Sequence, residues 1–377
     1  MPSNQRFRCC TATLLCCATL FIAVRNLNAS DKTSDAALPP MNKTPSNGLF
    51  ALTNIGPNVP TPDGKRVNLF DYPVSGVVHY MTWGGVERTP GEMSWPYLER
   101  MMADAVRTNK KFAYGLLCGH HAPEWVFEKA GIEAIKVPRG NGRFSTFYLP
   151  WKTQDGKKIL NTDMLAIWKK TVTAFSARLH SLPHRDRLYY VPITGIPFEA
   201  NGLEIHQRMR DTPDILKWDG EMDRFWIEYC KRVIDIYIEA FPDIPLGLAF
   251  TDSFGKKRSY WEAQEIVDYA IAQAKKKNAT LVPMGLWLGW DGIINGGESH
   301  PLIKQMRHFQ KQGAPAIAFE GGAMGSYKHA NCLHPSKQLE FALTLPAAWV
   351  QLWYFDIVYP DYRATLETWL PRLEAGK

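Results

Sequence analysis

A (β/α)8 or TIM barrel, of the α/β class, is the fold this sequence predicts, on three observations. Eight short runs rich in Val, Ile, Phe and Tyr recur along the chain. Amphipathic helical segments lie between most of them, and near-continuous apolar strands alternating with helices imply a parallel sheet covered by helices. The length of 377 residues suits one such barrel with insertions.

The elements follow in order. The first strand run is 49–55, "LFALTNI", and the link after it, residues 56–75, shows no helical period. The second is 76–83, "GVVHYMTW", followed by the helical "WPYLERMMADAVRTN". The third, 112–118, "FAYGLLC", opens a long link that ends in "TDMLAIWKKTVTAFSARLH". The fourth, 188–194, the fifth, 245–251, and the sixth, 280–288, are separated by "MDRFWIEYCKRVIDIYIEAF" and "YWEAQEIVDYAIAQAKKK". Each of these helical segments repeats apolar residues at i, i+3, i+4 and i+7, so each presents one stripe to a core. The seventh run is 314–320, "APAIAFE", and the eighth is 349–355, "WVQLWYF".

Residues before the first strand read as export machinery. Arg6 and Arg8 precede the apolar "CCTATLLCCATLFIAV", and "LNAS" offers Ala29 for cleavage, so residues 1–29 are expected to be a signal peptide. The run is shorter than the ~20 residues that a bilayer crossing needs, so no stable membrane insertion is expected after signal removal. Residues 30–47, rich in Ser, Thr and Pro, are expected to be a flexible linker. Residues 48–377 then form the barrel of a secreted or periplasmic protein.

Composition narrows the function. Four of the seven cysteines lie in the signal segment, leaving Cys118, Cys230 and Cys332, which can form one bridge at most. The formal charge of +7 includes Arg6, Arg8 and Arg25, and no basic run with interleaved aromatics points to nucleic acid. Phosphate-binding glycine patterns, an HExxH zinc motif and a GxSxG elbow are all missing. No cofactor and no metal are expected. "NKT" at Asn42 and "NAT" at Asn278 fit the glycosylation pattern.

In such a barrel the chemistry sits at the carboxyl ends of the strands, where the following loops line one open face. These loops carry His120 and His121 after the third strand, Glu199 and Glu204 after the fourth, and Asp252 after the fifth. Trp287, Trp290 and Asp291 follow the sixth, Glu320 ends the seventh, and Trp353 and Asp356 belong to the eighth. Two carboxylates facing each other across an aromatic cleft are what glycosidic hydrolysis requires: one protonated to donate to the leaving oxygen, one ionised to attack the anomeric carbon. Their environments must push their pKa values apart.

The stretch "VVHYMTWGGVERTPGEMSWPYLERMMADAVRTNKKFAYGLLCGHHAPEWV" resembles clan A glycoside hydrolases, the β-galactosidase-like and cellulase-like (β/α)8 enzymes. In these a Trp, an acidic Pro/Gly turn such as "ERTPGE" and an aromatic residue lead into a helix, and the next strand ends near a P-x-W element. The resemblance implies an acid/base Glu after the fourth strand and a nucleophilic Glu ending the seventh. Glu320 falls at the second position. For the first, Glu204 is preferred to Glu199, and the Asn-Glu pair usual in the family is missing. Glu87 and Glu92, in the acidic turn, read as structural, locked against Trp95.

The function this implies is a secreted, retaining glycoside hydrolase acting on a carbohydrate substrate through Glu204 and Glu320. Trp83, Trp287, Trp290 and Trp353 offer flat faces for sugar rings or for core packing, and His120, His121 and Asp252 offer hydrogen bonds to hydroxyls. The alternative is a carbohydrate-binding barrel without catalysis.

Overall fold

The computed structural model describes residues 45–376 except 133–134, 139–143, 196–202, 204–219, 252–258 and 323–331. The signal segment, most of the linker, Glu199, Glu204 and Asp252 therefore lie outside the described residues.

Eight strands form one parallel sheet: β1 Gly48–Thr53, β2 Gly76–Thr82, β3 Lys111–Leu117, β4 Val191–Pro192, β5 Leu246–Phe250, β6 Leu281–Gly285, β7 Ala318–Glu320 and β8 Trp349–Trp353. Their order in the sheet is β4-β5-β6-β7-β8-β1-β2-β3. Sequence neighbours are thus spatial neighbours, with the ends meeting at β3 and β4. A parallel bridge between Phe112 and Leu188 closes the ring. The Tyr189 amide donates to the Phe112 carbonyl at 2.8 Å, and the Thr194 hydroxyl donates to the Leu116 carbonyl. The fold is the (β/α)8 barrel that the eight apolar runs predicted.

Strand alternation explains the composition of the runs, because side chains at successive positions point to opposite faces. Phe50, Leu52, Val78, Tyr80, Ala113, Tyr190, Val282, Met284, Ala318 and Trp349 belong to the cluster inside the barrel. Leu49, Val77, Phe112, Leu248, Phe319 and Val350 belong to the shell beneath the helices. In β7 the interior positions are Ala318 and Glu320, while Phe319 between them packs outward. Small residues inside make room for large ones. A Cβ on Gly115 would lie 2.6 Å from Pro192 and 2.9 Å from the Tyr80 ring, and one on Gly247 would lie 2.9 Å from the Tyr190 ring. Those two glycines let Tyr80 and Tyr190 cross the barrel axis region, where Tyr190 stacks on Trp349 with centroids 4.9 Å apart.

The four helices expected from their apolar period lie at Leu98–Arg107, Thr162–His180, Gly220–Ala240 and Trp261–Lys277, and three that reading the sequence did not single out follow at Pro301–Gln312, Pro335–Thr344 and Arg363–Ala375. The helix at 162–180 starts because the Asn161 side chain accepts from the Met164 amide at 3.2 Å, and it buries Met164, Trp168, Val172, Phe175 and Leu179 on one stripe. Pro301 and Pro335 occupy first turns, where no amide donor is needed. The link after β1 carries no α-helix; it holds a hairpin of Asn58–Pro60 with Arg66–Asn68 and a 3-10 turn at Leu69–Asp71.

Most strand expectations shorten, the fourth, sixth and seventh by the most. β4 spans only Val191–Pro192, and β7 starts at Ala318 rather than 314. Gly313 caps the preceding helix at φ 92°, and Pro315 has no amide to give a ladder. The long link after β3 contains two hairpins, Ile135–Pro138 with Phe144–Phe147 and Trp151–Gln154 with Lys157–Leu160. Its second turn is Asp155-Gly156, both at positive φ, a two-residue signal for a hairpin.

Cys118, Cys230 and Cys332 are buried free thiols. No helix among the described residues is long and apolar enough to cross a membrane. No group of three or more His, Cys, Asp or Glu among them is placed to hold a metal ion.

Candidate active site at the carboxyl end of the barrel

Glu320 is the last residue of β7 and faces Gln351 of β8 in the ladder. Strand parity turns its side chain toward the barrel interior, and only 4% of its surface is exposed. A carboxylate there has lost most of its hydration, which favours the protonated form. Burial accordingly raises its pKa to about 7, opposed by a hydrogen bond that favours the charged form. That bond comes from the Trp353 indole Nε1, which donates to Glu320 Oε1 at 3.1 Å. Two adjacent strand ends thus supply a buried carboxyl group and an N–H directed at it.

Backbone bonds hold the carboxylate in place. The Gly321 amide donates to the Gln351 carbonyl at 2.7 Å, and the Leu288 amide donates to the Glu320 carbonyl at 2.8 Å. The Gly322 amide donates to Gln338 Oε1 at 3.2 Å. The loop after β6 is therefore tied to the end of β7, and with it Trp287 and Trp290. These two indoles stack with centroids 5.6 Å apart and planes 16° apart.

Inside the barrel, Tyr80 and Tyr190 share a hydrogen bond, and Gln351 Nε2 donates to the Tyr190 hydroxyl. Both phenols are pushed well above their ordinary value, chiefly by burial, and the Glu320 charge adds to the shift. Reading the sequence singled out none of the three. Period-two spacing could have found Gln351, since it lies between Trp349 and Trp353 on the interior face of "WVQLW".

The other expected site residues separate into groups. His120 and His121 lie in the turn Gly119–His121 after β3, half-buried, with rings 3.9 Å apart and His120 facing Phe147 at 5.5 Å. Trp83 is a core residue: it is fully buried in the outer shell, packed edge-on against Trp168 at 4.7 Å and Trp125 at 6.0 Å. Its indole donates to Glu87 Oε2 at 2.9 Å, so it has no face left for a ligand. Sequence could not separate Trp83 from the others, because an indole serves a core and a platform equally well.

Glu87 itself is 5% exposed. It also accepts from the Thr171 hydroxyl at 2.7 Å and from the Gly91 amide at 2.9 Å, while its carbonyl accepts from Trp125 Nε1 at 3.2 Å. It fastens the acidic turn to the helix at 162–180. Trp95 stacks on Phe175 of the same helix, with centroids 5.7 Å apart.

The fold and site define the class as an α/β barrel with a desolvated carboxylate and indoles at its carboxyl end. Among solved structures, the chain is similar to an intracellular xylanase from Thermoanaerobacterium saccharolyticum, with TM-score 0.45, 10% identity, 84% of this chain and 89% of that chain covered. It is also similar to a psychrophilic glycoside hydrolase family 10 endo-β-1,4-xylanase, with TM-score 0.42, 10% identity and the same coverages. No family model matches the chain, and no curated protein does.

Proposed function

We propose that the protein is a secreted, cofactor-independent glycoside hydrolase that cleaves with retention of configuration. One observation carries the reading: a carboxylate buried at the carboxyl end of a barrel strand, with an indole N–H from the next strand bound to it. Burial of a charge without function is costly, and strand ends offer water close by.

Glu320 in its ionised form attacks the anomeric carbon and forms a covalent glycosyl ester, while the bond from that carbon to the leaving oxygen breaks. An acid/base carboxyl group, Glu204 by preference and Glu199 otherwise, gives its proton to that oxygen. The same group then takes a proton from water, whose oxygen attacks the anomeric carbon and releases Glu320. Retention calls for carboxyl groups roughly 5 to 5.5 Å apart, and inversion for roughly 6.5 to 9.5 Å. Residues 1–29 would direct export.

The test is hydrolysis of aryl glycosides and oligosaccharides by the wild type beside Glu320→Gln, Glu204→Gln and Glu199→Gln, with product anomers followed by NMR. Cleavage with retention, lost in Glu320→Gln and in one of the other two, supports the reading. Sugar binding without cleavage across the panel would instead support the non-catalytic carbohydrate-binding barrel.

A further inference from the structure

Four buried side chains from the even-numbered strands meet inside the barrel: Tyr80 of β2, Tyr190 at the entry to β4, Met284 of β6 and Gln351 of β8. Alternate strands fill such a barrel in groups of four, and bulky branched apolar residues are usual there. Here the filling is polar. Gln351 Nε2 donates to the Tyr190 hydroxyl and lies 3.4 Å from Met284 Sδ, while Tyr190 shares a second hydrogen bond with Tyr80. The Tyr190 ring also stacks on Trp349, two residues before Gln351.

Apolar side chains of similar shape would fill this volume without burying two hydroxyls and an amide. What the polar filling adds is direction, since a hydrogen bond prefers one length and line whereas apolar contact lets surfaces slide. The line runs across the barrel: in the closed ring β4 and β8 lie opposite each other. Gln351 is held at both of its ends. It is the ladder partner of Glu320, its carbonyl accepts from the Gly321 amide at 2.7 Å, and its side chain reaches Tyr190. β4 is the strand most in need of such a tie, having two ladder residues of which one, Pro192, has no amide to give. The loop that follows β4 carries Glu199 and Glu204 in the sequence. One side-chain bond therefore joins the end of the strand bearing Glu320 to the strand from which the acid/base loop departs. Misplacement of a reacting group by about 1 Å lowers a rate by about a hundredfold, so such a tie bears on turnover.

Resting on the proposed glycosidase reading, we infer that Gln351 and Tyr190 are positioning residues, whose cross-barrel hydrogen bond sets the end of β7, and with it Glu320, against β4. Both act through Glu320 and take no part in making or breaking the glycosidic bond. Tyr80 and Met284 close the group around that bond.

The experiment compares wild type, Tyr190→Phe, Gln351→Met and the double variant on the p-nitrophenyl glycosides of glucose, xylose and mannose, and on β-1,4-linked hexasaccharides of the same sugars. Circular dichroism establishes the fold of each variant before assay. The expected result is a fall in kcat of about tenfold or more in each single variant, with KM within about twofold, and no further fall in the double variant, since either change breaks the same bond. The acid limb of the kcat/KM profile moves upward in all three variants, because a displaced Glu320 loses its alignment with the Trp353 donor that favours its charged form. A smaller folded fraction would lower kcat but leave that limb in place. Single variants with the kcat of wild type, losses that multiply in the double variant, or an acid limb that does not move each overturn the positioning role and leave the glycosidase reading standing. A wild type that cleaves nothing in the panel overturns the glycosidase reading and this role with it.

Discussion

Glu87 and Glu320 are both buried carboxylates at the carboxyl-terminal side of barrel strands, and both accept an indole N–H, yet their surroundings differ in kind. Glu87 takes hydrogen bonds from Trp83 and Thr171, both buried outside the barrel, and from the Gly91 amide of its own exposed turn. Glu320 faces the barrel interior, where burial raises its pKa to about 7. A carboxylate with several fixed donors ties elements together. One whose ionisation is opposed by its own site stores free energy that chemistry can use. The difference teaches that two carboxylates can be equally buried and yet sit in unlike surroundings, one in the outer shell and one facing the barrel interior.

The largest test of that contrast is Glu320→Gln, which should reduce turnover by roughly 10⁴-fold, as loss of a nucleophile does. The same variant should be more stable than wild type at alkaline pH. A carboxyl group whose folded pKa is raised contributes full stability below its unfolded value, near 4.5, and loses it as pH rises through about 7. Above that window the ionised Glu320 costs about 3 kcal/mol that the amide avoids. Urea denaturation at pH 5 and pH 8 measures it, and a stability difference independent of pH would break the contrast.

Glu87→Ala should act oppositely, costing about 2 to 3 kcal/mol of stability because the buried Trp83 indole loses its acceptor and the Thr171 hydroxyl keeps only the Ile167 carbonyl at 3.4 Å. Denaturant midpoints check this. Full stability with lost activity would mean that the two carboxylates had been assigned the wrong way round.

A smaller effect concerns the outer shell at β2. His79 is fully buried between the rings of Tyr97 and Tyr114. Burial holds its pKa down at about 4, opposed by the Thr53 backbone. A depressed imidazole gives full stability above its unfolded value of 6.5, and that stability is lost as pH falls toward 4. At pH 5 the loss is about 2 kcal/mol. The difference in stability between His79→Phe and wild type should therefore shift in favour of the variant between pH 7 and pH 5, read by thermal melts.

The finest test is Trp353→Phe, which removes the N–H that favours ionised Glu320. The acid limb of the kcat/KM profile should move upward by about 0.5 to 1 pH unit, the size expected for one charge-assisted hydrogen bond in a partly solvated mouth. A limb that stays in place would remove Trp353 from the control of Glu320.

Much of this was legible in the residues. Eight apolar runs gave eight strands in order, because a parallel strand covered on both faces must be apolar nearly throughout. "APAIAFE" shows the logic most fully: Ala318 inside, Phe319 outside and Glu320 inside follow from period two alone. The structural role read for Glu87 was also legible, since an acidic Pro/Gly turn beside Trp95 needs an anchor. The hairpins at 135–160 were missed although Asp155-Gly156 announces one.

What the residue order determined by itself is local and periodic: which segments are strands, which faces are apolar, and that a charge closes the seventh strand. Tertiary structure alone decided the fate of each aromatic and each carboxylate. Trp83 and Trp290 are chemically the same side chain, and only closure of the shell around one left the other open to solvent. Glu320 becomes hard to ionise only when the barrel closes and Trp353 comes beside it, because desolvation is a property of the assembled surroundings and no single residue carries it.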